Sequence, residues 1–250
     1  MEINNLHDLL NAVEKTEKSF RTEVWWRGQT QSWPLMAGIH RPDLGADENR
    51  SQCERDLTIR FLHGAMTRHT HWPEGDYPVQ LAMMQHYRLP TRLLDWTESP
   101  LIALFFAVQN HDDEPGVLWA LNPSALNFQE FRTRDLLPPY REDVIGLFQA
   151  PFGVAKKDIH RIASVVIRHV DVRMTVQLSA FTVHGANTPL NKHCGKESFL
   201  FKYEIPSKSK QLLRLELIGM GIRESNIFPD LDHLADELRK MAKLNLITGL

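Results

Sequence analysis

The feature that most constrains this chain is residues 81–109, LAMMQHYRLPTRLLDWTESPLIALFFAVQ. Leu101, Ile102, Leu104, Phe105, Phe106 and Val108 are apolar all round a helical projection, the mark of a helix buried on every side. Ser99-Pro100 marks its start, because proline in a first helical turn gives up no hydrogen bond. Directly before it stand Gln85, His86, Tyr87, Arg88, Arg92, Asp95, Thr97 and Glu98. Polar groups so close to core residues are costly to bury unless they are paired. The stretch therefore either satisfies a structural network or lines a site.

A chain of 250 residues with a 42% hydrophobic fraction can build a substantial core around such a helix. Residues 1–250 read as one domain. The net charge of −2 provides no global basic field for nucleic acid or membrane. Cys53 and Cys194 lie far apart and fit no metal spacing, so a disulfide scaffold is not expected and a cytoplasmic setting is. The start MEINNLHDLL lacks a basic, then apolar, leader, and no window reaches about 18 uninterrupted apolar residues.

In chain order, residues 6–18 predict an amphipathic helix, and 22–26 a strand that runs into an Arg27-Gly28-Gln29 turn. Proline and glycine make 32–44 a loop. Helices follow at 48–69 and 79–87, a short strand at 92–96, and a buried strand at 116–121. Residues 122–151 are proline-interrupted, and 122–173 read as an excursion over the surface, its basic end (156–173) as a solvated face. Strands are expected at 173–184, 199–205 and 224–228, and helices at 208–220 and 232–243. The mixture has no βαβ rhythm and no glycine-rich strand-to-helix turn. It predicts an α+β fold with a largely antiparallel sheet flanked by helices.

Four constellations can carry chemistry. Arg27, at a strand end, suits a phosphate or carboxylate through its planar fork, and Gly28 would let backbone approach a ligand. The alternative is an arginine that caps a carbonyl or pairs with a surface acid. In Gln85-His86-Tyr87 the histidine titrates near neutrality and suits acid–base work, or it is a satisfied, half-buried histidine. Asp95 enters the core and wants an arginine, Arg27 or Arg92, so a structural ion pair is its plainer reading. Glu224, in RESNIFPD, is a lone carboxylate at a short strand or simple surface decoration. His63, His69 and His71 lack a carboxylate or cysteine at ligand spacing, so no metal is expected. No P-loop, Gly-x-Ser-x-Gly or Gly-x-Gly-x-x-Gly motif is present.

With these residues in view, the sequence resembles FRG-domain proteins, named for an aromatic-Arg-Gly signature. The matching blocks are Trp26-Arg27-Gly28 with Gln29, QHYRLPTRLLDWTESPLIALFFAV at 85–108, QLSAFTVH at 177–184 and GIRESNIFPDLDHLADEL at 221–238. Together they span about residues 24–238. The order of parts is also similar to that of ADP-ribosyltransferases. That resemblance implies an ADP-ribosyltransferase-like core and NAD as substrate. It puts the first-strand arginine at Arg27, the second-strand hydroxyl at Thr97 and the late glutamate at Glu224. The departure is at the second position, where Asp95-Trp96-Thr97 replaces a Ser-Thr-Ser element.

On this reading Arg27 holds the pyrophosphate, with Gly28, Gln29, Tyr87 and Asp95 also on the dinucleotide side. Glu224 stabilises the oxocarbenium-like ribose, Thr97 orients that glutamate or the nicotinamide ribose, and His86 and Tyr87 position nicotinamide. The family resemblance further implies a bacterial toxin or phage-defence effector, a nucleic-acid or protein acceptor, and an antitoxin partner. Two competing readings are a non-catalytic nucleotide or nucleic-acid binding module and a metal-independent nuclease using His86. A carboxylate in a phosphate-binding cleft repels its ligand unless it acts on it, which favours the enzyme. Arg27, His86, Asp95 and Glu224 are expected to converge on one cleft.

Overall fold

A computed structural model describes residues 1–44, 49–69, 72–157 and 159–243. His71, Asp158 and the first predicted helical residue, Glu48, lie outside them. The strands are β1 (Trp25–Gln29), β2 (Leu93–Thr97), β3 (Gly116–Leu121), β4 (Ile162–Val165), β5 (Ser179–His184) and β6 (Leu200–Ile205). They form one sheet in the order β4-β5-β2-β1-β3-β6, with every neighbouring pair antiparallel. The helices are α1 (Leu6–Phe20), α2 (Arg50–Ala65), α3 (Tyr77–His86), α4 (Pro100–Val108) and α5 (Pro123–Phe131), then α6 (Ile145–Gln149), α7 (Val172–Val176), α8 (Lys210–Gly219), α9 (Glu224–Ile227) and α10 (Leu231–Lys243). The α+β expectation with a largely antiparallel sheet is therefore met. No helix among the described residues is long and apolar enough to cross a membrane.

Strand alternation divides the core into three. On one sheet face, Trp26, Leu118 and Ala120 meet α4, α1 and α8. On the same face, beside them, Leu93, Phe181, Val183, Ala163 and Val165 meet α3 and α6. The opposite face carries Trp25, Leu94, Trp96, Val117, Trp119 and Ile162, covered by Leu126 of α5 and by Leu35. The boundary between the first two clusters runs along β1 and β2. There the ladder is thinnest: β1 pairs with β3 along all of Trp25–Gln29, but with β2 only at Trp26–Thr97.

α4 is the central helix the sequence predicts. Ser99 caps it, its side chain accepting from the Ile102 N–H, and Pro100 occupies the first turn. Ile102, Ala103, Leu104, Phe105, Ala107 and Val108 are buried, whereas Phe106 keeps some exposure. A Cβ on Gly28 would stand 1.8 Å from the Ala103 carbonyl oxygen and 2.7 Å from the Ala107 nitrogen. Gly28 is therefore what lets α4 lie against β1, and close approach of ligand to backbone is not needed to explain it.

Several boundaries are corrected by the fold. Arg27-Gly28-Gln29 is not a turn but the second half of β1, because it keeps pairing with β3. Residues 173–184 are not one strand: α7, begun by the Asp171 side chain accepting from the Arg173 N–H, takes the first part. The 224–228 strand is a short helix, α9, which ends before Pro229. The stretch 122–173 is no surface excursion, since Leu126, Leu147 and Phe148 are fully buried and β4 lies within its basic end.

Candidate functional site: a cleft where two strands part

Once β1 and β2 stop pairing at Trp26–Thr97, the gap between them opens into a cavity of about 630 Å³. β1 and its continuation give Trp26 to Thr30, and β2 gives Asp95 to Thr97. Helix α3 gives Gln85 and His86, and α4 gives Phe106. Arg173, Met174 and Gln177 come from α7 and its end, and Trp33 and Arg41 from the loop after β1. Lys210 fixes the far end of β1: fully buried, its Nζ donates to the carbonyls of Thr30 (2.8 Å), Asn110 (3.1 Å) and His111 (2.7 Å).

Arg27 holds the two parting strands together. Its Nη1 donates to the backbone carbonyl of Asp95 at 2.6 Å, and its Nε has no hydrogen-bond partner among the described residues. Burial lowers its pKa, opposed by Asp95 and reinforced by the nearby Arg41 charge. A guanidinium nevertheless stays protonated. The expected carboxylate pairing is corrected here. Asp95 offers Arg27 its carbonyl, while its Oδ2 accepts from Gln85 Nε2 at 2.9 Å. Gln85 is itself anchored, its Oε1 accepting from the Thr91 hydroxyl at 2.7 Å. Arg92 turns away and forms a buried ion pair with Glu54.

Arg173 lines the same cavity from α7. Its guanidinium lies over the Phe228 ring at 4.6 Å, and burial lowers its pKa while Asp95 raises it. Arg27, Arg41 and Arg173 thus face Asp43 and Asp95 across one cavity, which leaves a net positive lining. His86 stands 3.6 Å from Asp171, yet burial outweighs that carboxylate and lowers its pKa. At neutral pH its imidazole is neutral, able to donate from one nitrogen and accept at the other. Trp96 is buttressed from behind. Its indole donates to the Thr182 hydroxyl at 3.0 Å, which contacts His184 Nε2 at 2.8 Å.

Other expected site residues have different employment. The Thr97 hydroxyl donates to the Gln177 carbonyl at 2.7 Å and accepts from the Ser99 N–H at 3.0 Å, tying β2 to α7 and the start of α4. Gln29 is buried, with Oε1 accepting from the Trp119 indole at 2.7 Å. Tyr87 is exposed and absent from the cleft wall, edge-on to His86 at 4.9 Å. Glu224 does not line the cavity either. It begins α9 and forms an ion pair with Lys240 of α10. Of the four residues expected to converge, Arg27, His86 and Asp95 do so, and Glu224 does not.

Residues 22–115 match the family model of the FRG domain. The likeness to the FRG domain covers less than half of the chain. No curated protein and no solved structure matches the chain. The matched FRG segment holds β1, α2, α3, β2 and α4, hence Arg27, Gln85, His86, Asp95 and Phe106. The wall formed by Arg173, Met174, Gln177, Ser179 and Phe181 comes from beyond it.

Sequence reasoning missed Arg41, Arg173, Gln177 and Trp33 as cleft residues around the FRG signature. One local signal bore on Arg173. Asp171, two residues earlier, is a good helix cap, and a helix start there takes Arg173 off the expected strand. Arg41 and Trp33 sit in a proline-rich loop whose course is set by contacts distant in sequence, such as the Leu35 N–H bonded to Asn191 Oδ1.

Proposed function

We propose that the FRG-domain cleft binds a dinucleotide of the NAD type and that the chain acts on it as an ADP-ribosyltransferase. One observation carries this reading: Arg27, Arg41 and Arg173 converge on one cavity that is also walled by Trp26, Trp33, Trp96 and Phe106. Guanidinium forks suit a pyrophosphate, and ring faces suit adenine and nicotinamide. About 630 Å³ is a common size for a small-molecule site. In the reaction the nicotinamide–ribose bond breaks, nicotinamide leaves with the electron pair, and an acceptor nucleophile bonds to the ribose carbon. The neutral His86 imidazole suits a hydrogen bond to the carboxamide of nicotinamide. The carboxylate that faces the developing positive charge is then Asp95 instead of Glu224.

The binding-module reading has its own support, since the Asp95 carboxylate already accepts from Gln85 and the Glu224 carboxylate is held by Lys240. Calorimetric titration with NAD, followed by detection of released nicotinamide, separates the two. The enzyme reading expects binding and release, with Asp95→Asn sparing affinity and lowering turnover by at least about a hundredfold, as for a contact made mainly in the transition state. Binding with no nicotinamide release from the wild type across candidate acceptors leaves a binder. No binding ends the dinucleotide reading.

A further inference from the structure

The main cleft has an annex. A second cavity of about 180 Å³ adjoins it, and the two share Arg27, Arg41, Asp43, Gln85 and Asp95 in their walls. Arg27 therefore stands between two spaces and can serve both. The annex adds one cation of its own, Arg88.

Arg88 stands at a helix end with a left-handed backbone, as Arg21 and Arg132 do at the ends of α1 and α5. Helix α3 ends with the Leu89 N–H on the Met84 carbonyl (3.0 Å) and the Arg88 N–H on the Gln85 carbonyl (2.9 Å). This double closure normally places glycine where Arg88 stands, because the backbone there is left-handed. Arg88 has φ 65°. Of these three arginines Arg88 alone is in the walls of the two cavities, and it is that placement, at a glycine-favoured position, that points to use of its side chain. Among the described residues neither Arg88 nor Arg41 forms an ion pair, and both are exposed. Asp43 and Asp95 are the acids in the annex wall, so Arg27, Arg41 and Arg88 leave it net positive. The space, under a third of the main cleft's volume, suits a phosphate group.

We propose that the annex is a second phosphate subsite, in which Arg88, with Arg27 and Arg41, takes a phosphate monoester next to the ligand of the main cleft. The identity of that main ligand rests on the dinucleotide reading above; the subsite itself does not. The monoester has two sources: a further phosphate on the dinucleotide, as in NADP, or a phosphate brought by a separate molecule.

The test is calorimetric titration of the full chain with inorganic phosphate, NAD and NADP, in wild type, Arg88→Ala, Arg88→Lys and Arg88→Gly. Glycine removes the side chain while suiting the left-handed backbone, so it guards against a folding defect. Loss of charge-assisted bonds should weaken inorganic phosphate about tenfold or more in Arg88→Ala and Arg88→Gly, and less in Arg88→Lys. If the dinucleotide supplies the phosphate, NADP binds at least about tenfold more tightly than NAD, and the preference vanishes without Arg88. If a separate molecule supplies it, the dinucleotides bind equally and NAD-loaded protein still takes up phosphate through Arg88. Arg88-dependent phosphate binding with neither dinucleotide bound keeps the subsite and ends the dinucleotide reading. Absence of phosphate binding in the millimolar range, or phosphate binding changed less than about twofold in folded Arg88→Gly, overturns the proposal.

Discussion

Residues 85–108 and 221–238 look alike in sequence, since both set charged side chains against apolar ones. They build different things. The first becomes β2, α4 and the wall of a cleft, with most of its apolar residues buried and Gln85, His86 and Asp95 lining a gap in the sheet. The second becomes α9 and α10; Ile227 and Phe228 at their junction reach the core beside α4, and the rest stays at the periphery. There Leu231 is 80% exposed, Leu234 and Leu238 are exposed, and charges pair locally, Glu224 with Lys240 and Asp236 with Arg239. Interleaved charge and apolarity becomes a site only where the apolar half is enclosed and the strand beneath has lost a neighbour. Otherwise it makes an amphipathic helix with its ions in water.

The largest expected contrast is in stability. Phe105→Ala should cost about 3–5 kcal/mol in chemical denaturation, the usual loss for a large core aromatic. Phe106→Ala, at a partly open position in the cleft wall, should cost less. Leu234→Ala on α10 should move the midpoint little; an effect equal to that of Phe105→Ala would erase the distinction between the regions. Next comes Gly28→Ala. Its Cβ would overlap the Ala103 carbonyl oxygen and Ala107 nitrogen of α4, backbone atoms that cannot rotate away. A loss of about 3 kcal/mol follows, at the upper end for overpacking. Wild-type stability in Gly28→Ala would mean that α4 does not press on β1.

Acid should also reach the cleft side. Burial pushes the His184 pKa down to about 3, below the roughly 6.5 of an unfolded histidine. The unfolded chain then binds a proton that the folded chain refuses. Stability is complete above about pH 6.5 and falls by up to about 1.4 kcal/mol per pH unit as pH drops toward 3. Urea midpoints measured between neutral and mildly acidic pH should show this slope, and His184→Gln should flatten it. An unchanged slope in the variant would assign the acid sensitivity elsewhere.

The smaller effects concern ligand and surface. Arg27→Ala should weaken NAD or pyrophosphate binding by about 1.5–3 kcal/mol for each charge-assisted bond removed. Glu224→Gln should change stability by less than about 1 kcal/mol, as for a partly exposed ion pair, and leave affinity and nicotinamide release at wild-type levels. A large fall in release with Glu224→Gln would restore Glu224 to the site and break the comparison between the two regions.

Local sequence was enough for α4, its start at Ser99-Pro100 and its burial, because an all-round apolar helix has nowhere to go but the core. It was enough for β3, a continuous apolar run, and for the antiparallel α+β class. It also picked out Arg27, His86 and Asp95, since polar groups beside such a helix must be paired or used. Only the tertiary structure decided that β1 and β2 part after Trp26–Thr97, because strand pairing depends on residues about seventy positions apart. Only the tertiary structure brought Arg41 and Arg173 to Arg27, and gave Gly28 to the packing of a helix. It also left Glu224 with Lys240, because a four-residue helix has no local signal strong enough to fix where its first side chain points.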